Sequence, residues 1–217
     1  GEKRKRLAEL AAEHRIPIIE DDPYAALRFR GEHLPPIKAH DGAGMVFYLG
    51  SFSKMMAPAL RLGWMVAPTE LIPRIQTLRE SVDLESSTLY QRTVAELVRR
   101  DLLEPHLEGI RATHRTRCDA MLDALEEELA DVAHWSKPDG GVFVWLVLPQ
   151  GLDTREMFEA AIQQKVGYIL GAVFSVDGRT RNAMRLNFSN VKPETIREGV
   201  RRLAGVVREA LDAPGTA

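Results

Sequence analysis

Tyr48-Leu49-Gly50-Ser51-Phe52-Ser53-Lys54, continuing to Ala57-Pro58-Ala59-Leu60-Arg61-Leu62-Gly63-Trp64, is the stretch that decides how this 217-residue chain is read. Its first half closes a short β-prone run that begins at Met45. Its second half opens another run, Leu62 to Val66, which stops at Ala67 and Pro68. Between them lies a small, hydroxyl-rich loop that ends in a lysine, with an arginine seven residues further on. Hydroxyls and backbone amides in such a loop can cradle a phosphate, and an arginine can grip it through two parallel hydrogen bonds. A lysine held beside them, near cationic charge and partly desolvated, is tuned toward a useful amine nucleophile. These are the parts that a phosphorylated aldehyde cofactor requires.

Upstream, the β-branched run Ile16 to Ile19 ends in Glu20-Asp21-Asp22-Pro23-Tyr24, which predicts a buried parallel strand with acids at its C-terminal end. Glu2 to His14 has helical periodicity, with the basic cluster Lys3 to Arg6 as a wet face. From Thr69 to about Leu129 the spacing is helical again. Pro73 falls in a first turn, Pro105 is expected to break or kink the run, and His106 to Leu129 reads as one long bridging helix. After Asp139-Gly140-Gly141 come a strand from Val142 to Leu148 and a helix from Thr154 to Lys165 capped by Asp153 or Thr154. A strand from Ala183 to Phe188 and an amphipathic helix from Lys192 to Leu211 follow, and the tail from Ala213 to Ala217 is expected to be disordered. The layout is α/β: part of a large domain over 1–104, then a compact lobe with its bridging helix over 105–217. A chain that opens on Gly1 inside a charged amphipathic stretch is expected to be cut from something longer.

The Tyr48 to Trp64 segment resembles the cofactor-lysine motif of fold-type I pyridoxal-phosphate (PLP) enzymes, the class I/II aminotransferases. Within them it is most similar to the branch of 2-aminoadipate and kynurenine aminotransferases and MocR-type regulators. The resemblance implies an incomplete, mostly parallel large domain joined to a complete C-terminal α/β small domain. It makes Lys54 the Schiff-base lysine of pyridoxal 5'-phosphate and gives Ser51, Ser53 and Arg61 to the phosphate. The Asp-x-x-Tyr pattern makes Asp21 the partner of the pyridinium nitrogen and Tyr24 that of the ring's phenolic oxygen, with Asp22 competing for the first role. Arg185, in Met184-Arg185-Leu186-Asn187-Phe188-Ser189, resembles the arginine that forks onto the substrate α-carboxylate. Gly140-Gly141-Val142-Phe143-Val144-Trp145 matches the strand that opens the small lobe. The implied substrates are an amino acid and a 2-oxo acid, with Phe174 and the Gly167 to Val176 loop as the part of the substrate pocket within this chain. The implied assembly is a homodimer of the full-length protein. Family segments that hold phosphate and stack on the ring have no counterpart in Gly1 to Ala217, so the chain alone is expected to bind PLP weakly and turn over poorly.

Composition sets the background. Hydrophobic residues at 45% and charged ones at 28% are ordinary for a globular protein, and 31 acids against 29 bases favour neither nucleic acid nor an anionic membrane. The apolar runs are far too short to span a bilayer. With the single cysteine, Cys118, and no signal peptide expected, a cytoplasmic setting is the default. The six histidines lack metal-ligand spacing, and no Ser-His-Asp elbow is visible. Three other readings stay open: the effector-sensing part of a MocR-type regulator, a PLP β-lyase or decarboxylase, and an interaction domain with vestigial motifs. Asp21 to Tyr24 and Gly140 to Trp145 lean toward free-standing aminotransferases.

Overall fold

The computed structural model describes residues 1–213 and separates into two compact units, Gly1–Ile110 and Arg111–Ala217. The expected disordered tail therefore lies, from Pro214 onward, outside the described residues.

In the first unit, helix α1 (Glu2–His14) buries Ala8 and Ala11. It ends at Arg15, whose backbone takes the left-handed conformation at φ 54°. The amides of Arg15 and Ile16 return to the carbonyls of Ala12 and Ala11, a Schellman closure without glycine. Strand β1 (Ile18–Asp21) runs parallel to β2 (Val46–Ser51), pairing Asp21 with Leu49. Strand β3 (Gly63–Val66) is antiparallel to β2, pairing Gly50 with Trp64 and Ser51 with Gly63. The start of β2 is fixed by Asp41, whose nearly inaccessible carboxylate accepts the amides of Met45 and Val46 and the Lys38 ammonium, each at 2.9 Å. Burial opposes ionisation of this carboxyl, but the Val46 amide, the Lys38 ammonium and the Met45 amide together hold it below its ordinary range.

Buried strands were expected here, and the structure differs. β3 is exposed along its length and Ile19 of β1 is 72% exposed, because no element of this unit covers that apolar surface. Helices α2 (Ile72–Val82) and α3 (Thr88–Arg99) follow, with Pro73 in the first turn of α2 as expected. The expected break at Pro105 is displaced. α3 ends in a second Schellman closure at Asp101, φ 54°, and Pro105 lies harmlessly in the first turn of α4 (Leu103–Leu129), where its missing amide has no partner to lose.

The second unit is an antiparallel sheet in the order β4 (His134–Trp135), β5 (Phe143–Val147), β7 (Ala183–Asn187), β6 (Ile169–Leu170). Val144, Leu146, Met184 and Leu186 are buried on one face, as are Leu125 and Leu129 of α4 and Leu203 and Val207 of α6 (Pro193–Asp212). Alternate residues Phe143, Trp145, Val147 and Arg185 are half-buried, as the two-residue period of a strand requires. Cys118 is fully buried and serves packing.

The helix expected from Thr154 to Lys165 contracts to α5 (Phe158–Gln163). Thr154 is drawn away from its capping role: its amide and hydroxyl both bond to Arg181 O, the hydroxyl also reaches Ala183 O, and its own carbonyl accepts Tyr168 Oη at 2.6 Å. Burial, then the nearby Asp153 charge, pushes the Tyr168 hydroxyl up to about 12, so it stays a donor.

Candidate active site

Because β1 and β2 are parallel and β3 returns antiparallel, three things meet at one end of the first unit's sheet: the C-terminal ends of β1 and β2, and the start of β3. Asp21 closes β1, Tyr24 opens the next turn, Ser51 closes β2, Ser53 and Lys54 follow it, and Arg61 lies two residues before β3. With Asp21 opposite Leu49, strand spacing and rise put the Asp21 and Ser51 backbones roughly 8 Å apart. Ligands of open α/β sheets characteristically bind beyond such strand ends.

The three consecutive acids are used differently. The Glu20 carboxylate accepts the amides of Ile37 and Lys38 at 2.7 and 2.9 Å, tying down a 3-10 turn. Asp22 accepts the Ala25 amide at 3.0 Å and so shapes the turn that carries Tyr24. Asp21 is exposed, and its carboxylate bonds to no protein group among the described residues. Of the two candidates for a cofactor carboxylate, only Asp21 is uncommitted.

On the neighbouring strand, Ser51 Oγ accepts the Ser53 amide at 3.1 Å, Phe52 N bonds Leu62 O at 3.1 Å, and Met56 N bonds Phe52 O at 2.8 Å. Lys54 therefore rides on a single helical turn laced to the start of β3. Gly50 is required: a Cβ there would collide with the Trp64 indole, which packs on Phe52 with centroids 4.8 Å apart. Arg61 adopts the left-handed conformation at φ 50°, a strain of about 1–2 kcal/mol that fixes where its side chain leaves the loop. The expected desolvation of Lys54 is not found: the residue is exposed, because the elements of this unit leave the loop open on its outer side.

Arg185 lies in the second unit. Its guanidinium carbon is 3.9 Å from the Phe143 ring centroid and 4.6 Å from that of Phe174. Its Nε is buried without a hydrogen-bond partner, and it forms no ion pair among the described residues.

The residues from 2 to 203 match the model of the family described as aminotransferase class I and II. The chain belongs to that family. It is 44% identical over 209 residues to aromatic-amino-acid aminotransferase 1 of Thermococcus litoralis, covering 96% of this chain and 50% of that protein. It superposes on a crystal structure of Pyrococcus horikoshii kynurenine aminotransferase in complex with PMP with a TM-score of 0.94 and 42% identity, covering 98% of this chain and 53% of that one. It is also 33% identical over 214 residues to the HTH-type transcriptional regulator NorG of Staphylococcus aureus, covering 96% and 47% respectively. The chain thus spans about half the length of the relatives it matches. The fold resembles that of PLP aminotransferases of fold type I, the α/β class expected from the motifs.

Reading the sequence for this family missed Phe143 and Trp145 as neighbours of Arg185. Their signal was present: aromatics two apart on a strand share a face, and Arg185 is the direct cross-strand partner of Trp145. No His, Cys, Asp and Glu grouping suited to a metal occurs among the described residues, and no helix among them is long and apolar enough to cross a membrane.

Proposed function

We propose that this chain is the lysine-bearing half of a PLP-dependent aminotransferase that moves an amino group between an L-amino acid and a 2-oxo acid. The observation that carries the proposal is the uncommitted Asp21 carboxylate, at the same sheet end as the Ser51-Phe52-Ser53-Lys54 turn and Arg61. That donor set fits pyridoxal 5'-phosphate: an anion for the ring nitrogen, hydroxyls and a guanidinium for the phosphate, and a primary amine for the aldehyde. Arg185, whose guanidinium has no hydrogen bond or ion pair among the described residues, fits a carboxylate.

When bound, the cofactor supplies an electron-withdrawing ring that spreads charge from the substrate α-carbon. Asp21 keeps a proton on the ring nitrogen by offering it a negative charge. Tyr24 hydrogen-bonds the ring's phenolic oxygen. Ser51, Ser53 and Arg61 hold the phosphate, so that Lys54 is positioned rather than merely present. Lys54 Nζ would serve as the base that takes the proton from the substrate α-carbon and holds it for return. One water would be consumed as the first substrate's C–N bond breaks and its 2-oxo acid is released, and one returned as the retained amino group passes to the second 2-oxo acid.

A homodimer, a cytoplasmic setting and a division of roles between 1–104 and 105–217 belong to the same proposal. The similarity to HTH-type regulators keeps one further reading in view, a PLP-dependent effector sensor built from the same groups. The deciding experiment is borohydride reduction of the full-length protein with PLP, followed by peptide mass spectrometry and an amino-donor assay. Label on the Lys54 peptide with amino transfer supports the enzyme. Label without transfer supports the sensor. No label at Lys54 refutes both.

A further inference from the structure

The surroundings of Arg185 contain more than a free cation. The guanidinium carbon lies over the Phe143 ring, 3.9 Å from its centroid, which is stacking distance. The same carbon lies over the Phe174 ring, 4.6 Å from its centroid, so two aromatic rings crowd one cation. Phe143 comes from β5, on the same sheet face as Arg185 and two residues from its cross-strand partner Trp145. Phe174 comes from the 3-10 turn Gly171–Phe174. That turn is held against β7 because Gly171 lacks a side chain: a Cβ there would lie 2.6 Å from Ala183 O. Phe174 is further braced edge-on against Trp145, with centroids 5.6 Å apart. With Nε buried and unpartnered, the open donors are the terminal Nη groups at the guanidinium edge.

We infer that Phe143 and Phe174 are positioning residues that leave Arg185 open only along its edge, making the site selective for a flat carboxylate over tetrahedral anions of similar charge. The inference rests on the reading of Arg185 as the carboxylate site of an aminotransferase. A carboxylate lies in the guanidinium plane and needs no room above or below it. A sulfonate or phosphonate carries an oxygen out of that plane and needs room beside the cation that two adjacent rings restrict. Stacked rings also keep water off the cation, which strengthens the in-plane contact.

The test uses the full-length, PLP-loaded protein and two unreactive probes, 3-phenylpropionate and 3-phenylpropane-1-sulfonate, with affinities measured by calorimetry. Wild type should prefer the carboxylate. Phe174→Ala and Phe174→Leu should weaken carboxylate binding about five- to thirty-fold and narrow the preference, while Phe174→Tyr restores both. The Arg185 Nε–H resonance should move downfield in the Ala and Leu variants as ring shielding is lost. Phe174 is 48% exposed on a turn, so these variants are expected to fold, which circular dichroism checks. Unchanged affinity and preference in Phe174→Ala and Phe174→Leu, with binding lost in Arg185→Lys, overturns this inference but leaves the proposed function standing. Wild-type binding by Arg185→Lys overturns the carboxylate role itself.

Discussion

In the unit Arg111–Ala217, a four-stranded sheet shares a continuous buried core with three helices, and Phe188, Leu146, Met184 and Leu203 are sealed from solvent. In the unit Gly1–Ile110, a three-stranded sheet buries Val46 but leaves Ile19, Trp64, Met65 and Val66 exposed, and Val82 and Leu84 are 86% and 87% exposed. The second unit carries Arg185, whereas the first carries Lys54, Ser51, Ser53, Arg61, Asp21 and Tyr24. Most of the candidate residues therefore sit on the part of the chain with the thinner core. A candidate site built at strand ends needs well-placed turns more than a deep interior, and backbone amides donating to the Asp41, Glu20 and Asp22 carboxylates fix the start of β2 and the adjoining turns locally.

The sharpest way to break this contrast is to cut into the second core. Phe188→Ala removes a fully buried ring and should cost about 3–5 kcal/mol in urea denaturation. A loss under about 1 kcal/mol would mean that the lobe does not hold itself together as described.

The next test asks whether the two neighbouring acids of the first unit differ in kind. Asp21→Asn should lower amino transfer on the order of 100-fold while leaving the thermal midpoint nearly unchanged, because Asp21 supports no protein group. Asp22→Asn keeps an acceptor for the Ala25 amide, so its activity should stay within a few-fold of wild type. Reversed results would move the ring-nitrogen role to Asp22.

The Asp41 clamp gives a smaller effect with a sign. Its folded carboxyl titrates below the ordinary value of 3.8, so its contribution is fully present above that value and is lost as pH falls through the lower folded one. Asp41→Asn should therefore cost about 1–3 kcal/mol at pH 7 and less at pH 3. A cost that grows toward pH 3 would contradict the described bonds.

How legible these differences were depended on which residue marked them. Asp-x-x-Tyr and Ser-x-Ser-Lys stand out because polar residues there close apolar, β-prone runs, and those runs are β1 and β2. Helix ends do not. At Arg15, Asp101 and Lys165 the chain takes a positive φ with a Schellman closure, yet none is the glycine that usually announces one. With Asp101 silent, Pro105 is the visible stop signal, four residues after the closure itself. Thr154 looks like a cap because it is a threonine ahead of an apolar run, but tertiary contact spends its hydroxyl on Arg181 and Ala183. The two-residue strands β4 and β6 are too short for periodicity to register, and exposure at β3 depends on what lies beside it rather than on its own residues.

That last point leads to the smallest effect, and it concerns what the thin unit lacks. Val82 at the end of α2 is 86% exposed, so Val82→Ser in the 217-residue chain should change stability by no more than about 0.5 kcal/mol. If the full-length protein or a second copy covers this surface, the same substitution there should cost about 1–2 kcal/mol, the transfer free energy of a valine removed from water. The relatives are about twice as long as this chain, which is why the comparison is worth making in both lengths. Equal small costs in both would leave α2 a solvent-facing helix and shift the search for the covering partner to Ile19 and the exposed strand β3. A large cost in the short chain would instead mean that the first unit already packs Val82.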